Sequence, residues 1–227
     1  MASGDVFSPN PSALRVGAVL LAAGSGSRLG GRPKSLLELD GVALIRRAIA
    51  ALAQAGVWDL VVVLGHHARL LEPALQGTAA RWVVNPQPQE GQVSSQRLGL
   101  AALDVRCEVV VVALADQPLI DADDVRALLQ AWARRPPRAA VVFPQVDGQP
   151  GNPVIFSDEV RQQILRSEPT VGARQWRQDH PALVTPFVTP NPHYRFDIDT
   201  PEDLARFQRE TGRTLVWPQG LAGEAGC

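Results

Sequence analysis

The stretch VGAVLLAAGSGSRLGGRPKSLL, Val16 to Leu37, decides the fold. It opens as an apolar run from Val16 to Ala22, interrupted only by Gly17. Such a run reads as a strand buried on both faces, the kind found in parallel sheets. It then breaks into Gly24, Gly26, Gly30 and Gly31, with Ser25 and Ser27 interleaved, and carries Arg28, Arg32 and Lys34. A flexible backbone that can turn its N–H groups toward an anion, with positive charge close by, suits a polyphosphate. A solvated glycine-rich surface loop is the plainer alternative. Two familiar phosphate loops fail on detail. A P-loop needs Lys directly after its last Gly, where Lys34 is not, and a dinucleotide fingerprint needs Gly where Leu29 stands.

Outward from this loop the chain alternates. Val42–Ala55 has apolar residues at helical spacing and stops at Gly56, a candidate C-cap. Leu60–Leu64, Trp82–Val84, Val109–Leu114, Ala139–Phe143 and Val154–Phe156 read as strands. Ala68–Leu75, Ser94–Leu103, Ala122–Trp132, Ser157–Leu165 and Glu202–Glu210 read as helices, with Asp121 and Ser157 as N-caps. Strands alternating with helices imply a mainly parallel sheet in a three-layer α/β/α arrangement. Ligands of such sheets bind beyond the carboxyl ends of the strands. That places the loop after Ala22 and the segment after Leu114 on one edge. Residues 1–15 read as a disordered tail, 16–210 as a single domain, and 211–227 as a C-terminal tail.

Composition excludes several classes. The 227 residues carry a net charge of −1, which gives no whole-protein bias toward nucleic acid or an anionic membrane. The only cysteines, Cys107 and Cys227, form no metal-ligand pattern and imply no disulfide framework, so a cytoplasmic setting is expected. The first residues lack a signal-peptide pattern, and no apolar run approaches the roughly 20 residues that span a bilayer.

Acidic residues form a second constellation. Asp116 follows the most apolar strand, where a site belongs, and a carboxylate near a polyphosphate points to Mg²⁺. A turn begun by Asp116 with Pro118 is the structural alternative. Asp197 and Asp199, two apart, share a face if the segment is extended, so either could complete a metal site with Asp116. Asp199 could instead start the helix at Pro201. In Glu90–Leu100, Ser94, Ser95 and neighbouring N–H groups open a helix and could hold a base or phosphate, or Ser94 could simply cap it.

These residues resemble a known family. LAAGSGSRLGGRPK (Leu21–Lys34) is similar to the LAAGxSxRMGxxK signature of the MobA-like nucleotidyltransferases. EGQVSSQRLGL (Glu90–Leu100), LADQPLI (Leu114–Ile120), GNPVIF (Gly151–Phe156) and DIDTPEDL (Asp197–Leu204) follow in the family's order. The resemblance covers about residues 16–210. Ala22-Ala23-Gly24 and Asp116-Gln117-Pro118 look most like the molybdopterin cytidylyltransferase branch, whereas the guanylyltransferases usually read LAGG. One departure is Asn152, which stands where the cytidylyltransferases typically have histidine.

The resemblance implies a Rossmann-like sheet of the nucleotide-diphospho-sugar transferase type. It also implies transfer of a nucleoside monophosphate, CMP from CTP, onto a phosphorylated acceptor, molybdopterin, with release of pyrophosphate. Arg28, Lys34 and Asp116 would be catalytic. Leu21, Ala22, Ala23, Gly24, Ser25, Gly26, Ser27, Lys34, Gln92 and Ser95 would bind the nucleotide. Asp116 and Asp199, or alternatively Asp197, would hold Mg²⁺, and Gln117 and Asn152 would face the acceptor. Partners are the NTP, the acceptor and a molybdoenzyme or its chaperone, with no nucleic acid or membrane. Two alternatives stay open: the same chemistry on a sugar phosphate or phospholactate-like metabolite, which Asn152 encourages, and a non-catalytic nucleotide-binding partner of a molybdoenzyme. His66 and His67 are read as surface residues.

Overall fold

A computed structural model describes residues 14–221. Strand β1 (Val16–Ala22) is buried at every position. It leads through the glycine loop to β2 (Glu38–Leu39), β3 (Val42–Ala43) and helix α1 (Leu44–Gln54). Then come β4 (Asp59–Leu64), α2 (Ala68–Leu75), β5 (Arg81–Val84), α3 (Gln92–Ala102) and β6 (Val109–Leu114). The second half contains α4 (Ala122–Ala133), β7 (Val141–Val146), β8 (Gln149–Pro150), β9 (Val154–Ser157), α5 (Asp158–Arg166), α6 (Ala173–Asp179), β10 (Val184–Val188), α7 (Pro201–Thr211) and β11 (Leu215–Val216).

The large sheet runs β10-β7-β9-β6-β1-β4-β5, with β8 paired to β7. β1 is parallel to both β4 and β6, β4 to β5, and β7 to β10, while β9 is antiparallel to β6 and β7. Alternation along β1 sends Val16, Ala18, Leu20 and Ala22 to one face and Val19 and Leu21 to the other. Ile45 of α1, Leu71 of α2 and Val125 of α4 pack on the first face. Leu100 of α3, Ile164 of α5 and Trp176 of α6 pack on the second. The expected three-layer, mainly parallel architecture is therefore present. From β1 the connections go to β4 on one side, and β6 joins on the other. The carboxyl ends of β1 and β6 thus form the crevice where such sheets bind ligands.

Local sequence explains the ends that matter. Thr200 caps α7, accepting from the Asp203 N–H, and the Asp203 carboxylate closes the capping box on the Thr200 N–H. Pro201 occupies the first turn, and Gly212 ends the helix at a left-handed φ of 68°. Gly99 lets α3 lie against the sheet, because a Cβ there would stand 2.4 Å from a Val19 methyl.

The structure adds elements to those read from the sequence. Helix α6 and strand β10 are new, and β2, β3 and β11 form a small antiparallel sheet. β11 lies in the stretch expected to be a C-terminal tail, so the folded chain continues past residue 210 and covers its own cluster of Leu37, Leu39, Phe207 and Leu215. Residues 1–13 of the expected N-terminal tail, and 222–227 of the C-terminal one, lie outside the described residues. Among the described residues no helix is long and apolar enough to cross a membrane.

Candidate active site

Lys34 lies just after the buried Pro33, at the start of a single 3₁₀ turn whose Leu36 anchors it in the core. Its ammonium donates to Asp116 Oδ2 at 2.5 Å and to Asp199 Oδ1 at 2.6 Å. Asp116 arrives because β6 runs alongside β1 in register, Leu114 opposite Leu21, and the Ala115 N–H still donates to the Leu21 carbonyl. Asp199 arrives because the Ile198 N–H donates to the Asp116 carbonyl at 3.0 Å, joining two segments far apart in sequence. Since Thr200 caps α7, the Asp199 carboxylate stays available to Lys34.

The charges respond to this packing. Burial alone would lower the Lys34 pKa, but Asp116 and Asp199 outweigh it and raise the value above the usual 10.5. Asp197 is pushed up from the usual 3.8 by burial first, then by the Asp116 and Asp199 charges. Three carboxylates against one ammonium leave the cluster with excess negative charge.

The cluster lines a cavity of about 580 Å³. Of the residues expected to bind nucleotide, Leu21, Ala22, Ala23, Gly24, Ser25, Lys34, Gln92 and Ser95 line it, together with Asp116, Asp197 and Asp199. Gly26, Ser27 and Arg28 do not. Gly26 instead turns the loop back on itself at a φ of 62°, its carbonyl accepting from the Leu29 and Gly31 N–H groups, and Arg28 is exposed on the adjoining 3₁₀ turn. Arg32 is spent on structure: it donates to the Leu29 and Leu221 carbonyls and lies over Trp217. Only Lys34 of the loop's three cations therefore reaches the cavity. Gln117 lines neither this cavity nor its neighbour. It is buried, and its amide donates to the Tyr194 carbonyl at 3.3 Å.

Other residues had no sequence signal pointing here. The Asn85 amide donates to Ser94 at 2.8 Å and Ser95 at 2.9 Å, fixing the first turn of α3. In the sequence Asn85-Pro86 reads only as a strand stop. Ser94 is not the cap of α3, whose N-cap is Gly91 and which has no side-chain cap. His66 lines the cavity, and His67 Nε2 donates to the Ser25 carbonyl at 2.9 Å, bracing the glycine loop. Adjacent histidines at a strand end carry no pattern that would reveal either role.

A second cavity, about 780 Å³, shares Gln92, Leu114 and Asp197 with the first. Asn152 lines it beside Gly151, whose neighbourhood is tight because the Asn152 N–H donates to the Tyr194 carbonyl. Arg174 and Arg177 of α6 also line it. Two adjoining cavities that share Asp197, the first of them also lined by Lys34, Asp116 and Asp199, can hold two ligands whose phosphates meet beside these charges.

Comparison with known proteins agrees with this geometry. The profile of the MobA-like NTP transferase domain matches residues 18–184. The chain is 31% identical over 194 residues to a nicotine blue oxidoreductase of Paenarthrobacter nicotinovorans, covering 83% of this chain and 94% of that one. It is 34% identical over 150 residues to a 2-C-methyl-D-erythritol 4-phosphate cytidylyltransferase of Streptomyces avermitilis, covering 63% of this chain and 60% of that one. The Rv0371c protein of Mycobacterium tuberculosis superposes with a TM-score of 0.72 at 25% identity, covering 87% of this chain and all of that one.

Proposed function

The chain belongs to the MobA-like NTP transferase family, and we propose that it transfers CMP from CTP to a phosphorylated acceptor, molybdopterin, with release of pyrophosphate. The observation that carries this is the bridge from Lys34 to both Asp116 and Asp199 in the lining of the first cavity. Such a cluster serves phosphoryl chemistry, which favours transfer over the redox reaction named for the Paenarthrobacter relative. The Leu21-Ala22-Ala23-Gly24 form of the loop supports cytosine as the base.

The donor set fits a divalent cation. Asp116 and Asp199 already hold a cation, the ammonium, between them. The second Asp116 oxygen is buried with no hydrogen-bond partner among the described residues. No cluster of three or more His, Cys, Asp or Glu is placed to hold a metal alone among those residues, so nucleotide phosphates would complete the shell. The mycobacterial protein has also been described in complex with manganese. Bound between Asp116 and Asp199, Mg²⁺ would offset negative charge growing on the α-phosphate.

The chain's own groups do the rest. The backbone from Ala22 to Ser25 and the first turn of α3 position the nucleotide. Lys34 holds positive charge where the pyrophosphate leaves. A phosphate monoester is mostly ionised near neutral pH, so the attacking oxygen needs no general base. Asn152 on the second cavity favours one further reading, the same transfer to another phosphorylated metabolite. Incubation with Mg²⁺, each NTP and molybdopterin, following pyrophosphate, tests the proposal: release with CTP supports it, and no release with any NTP overturns it.

A further inference from the structure

The second cavity is built to receive more charge than one reacting phosphate brings. Arg174 and Arg177 stand three residues apart on α6 and both line it. Neither makes an ion pair or a side-chain hydrogen bond with another described residue, whereas Arg161 pairs with Asp158 and Arg97 donates to carbonyls around Ser167; Arg174 is exposed. Arg177 is half-buried with its guanidinium stacked 4.4 Å from the centre of the Phe143 ring. Burial first, and then the neighbouring Arg174 charge, lower its pKa from the usual arginine value. A guanidinium held half out of water beside a second one lacks a counter-anion, and planar guanidinium forks match carboxylate and phosphate oxygens.

The platform is fixed in place. The Ala173 N–H donates to Gln96 Oε1 at 2.8 Å, and Gly172 leaves room for that contact, since a Cβ there would stand 2.6 Å from the same oxygen. Trp176, buried between the two arginines in sequence, donates its indole N–H to Gln163 at 2.9 Å. The arginine pair thus lines the second cavity and not the first, whereas Asp116 and Lys34, beside which the acceptor's reacting phosphate would lie, line the first and not the second.

We propose that Arg174 and Arg177 select an acceptor with a second anionic group, carboxylate or phosphate, at the end of the molecule remote from its reacting phosphate. The inference rests on the transferase reading in its second form, transfer to a phosphorylated metabolite other than molybdopterin, which has one phosphate and no carboxylate; it narrows that acceptor to doubly anionic molecules and excludes monophosphates of uncharged sugars.

Matched probes test it by calorimetry in the presence of Mg²⁺ and α,β-methylene-CTP, which fills the first cavity without reacting. The first pair is 6-phosphogluconate against glucose 6-phosphate, and the second is fructose 1,6-bisphosphate against fructose 6-phosphate. At least one doubly anionic probe should bind about 10-fold to 100-fold more tightly than its partner, as expected for a charge-assisted contact. The pair that discriminates identifies carboxylate or phosphate as the second group. Arg177→Met and Arg174→Ala should each erase the difference, and Arg177→Lys should keep part of it. Affinity for the CTP analogue and melting temperature should stay near wild type, showing that the variants fold. Equal binding within both pairs, or discrimination that survives both substitutions, overturns the inference. Failure of the analogue itself to bind would instead strike the transferase reading.

Discussion

Lys34 and Asp199 are 165 residues apart in the chain and 2.6 Å apart in the fold. With Asp116 on its other side, the Lys34 ammonium stands between the two carboxylates proposed to hold the metal. With nucleotide bound it would face the phosphates, so one lysine would neutralise the two acids first and the leaving group afterwards.

That double role sets the outcome for Lys34→Ala. Loss of one preorganised electrostatic donor lowers kcat/KM by about 100-fold to 1,000-fold. The side chain is only 16% exposed, so its loss also leaves Asp116 and Asp199 facing each other without a counter-charge. The metal-free protein should lose about 1–3 kcal/mol of stability, and Mg²⁺ should restore much of it. Melting curves with and without Mg²⁺, beside kinetics, check both halves.

Asp197 gives a pH test. Its pKa is raised, so the folded state favours the neutral carboxyl. The stability this confers is complete below the ordinary value of 3.8 and is lost as pH rises through the higher folded value. Asp197→Asn should thus be more stable than wild type at neutral pH without metal, with the gap closing in acid. A melting temperature lowered by this substitution at neutral pH would contradict the assigned charge balance.

The metal ligands should separate kinetically. Asp116→Asn and Asp199→Asn keep the fold and abolish Mg²⁺-dependent turnover, because an amide is a weaker ligand for a hard cation. Asp197→Asn, whose carboxylate does not reach Lys34, should cost less. Mg²⁺ titration of activity in the three variants makes the comparison.

Asn85 should matter out of proportion to its place in the sequence. Asn85→Ala strands the buried Ser95 hydroxyl and removes one of the contacts that hold Ser94, which keeps its bonds to the Gln87 and Gly91 carbonyls. About 1–3 kcal/mol of stability should be lost, with weaker CTP binding because the α3 turn lining the cavity loosens. Denaturant melts and CTP calorimetry read the two effects.

The legible and illegible parts of this chain differ for physical reasons. β6 and α2 have the bounds their sequences suggest, because VVVVAL is wholly apolar and ARLLEPAL is strongly amphipathic. β10 hides because VTPFV carries Pro186, tolerated only since the strand lies at a sheet edge. α6 hides because ARQWRQD is short and buries only Ala173 and Trp176. Lys34, Asp116 and the loop from Leu21 to Ser25 were readable from type and position. Which of Asp197 and Asp199 meets Lys34 was not, because spacing puts both on one face and only the tie between Ile198 and Asp116 decides between them.

The most direct measurement uses CTP labelled at its α-phosphorus, with Mg²⁺ and molybdopterin. The wild-type protein should move the label into the acceptor product and leave unlabelled pyrophosphate, while folded Asp116→Asn moves none. Label that stays in CTP with the wild-type protein, or moves at the wild-type rate with Asp116→Asn, would contradict the account.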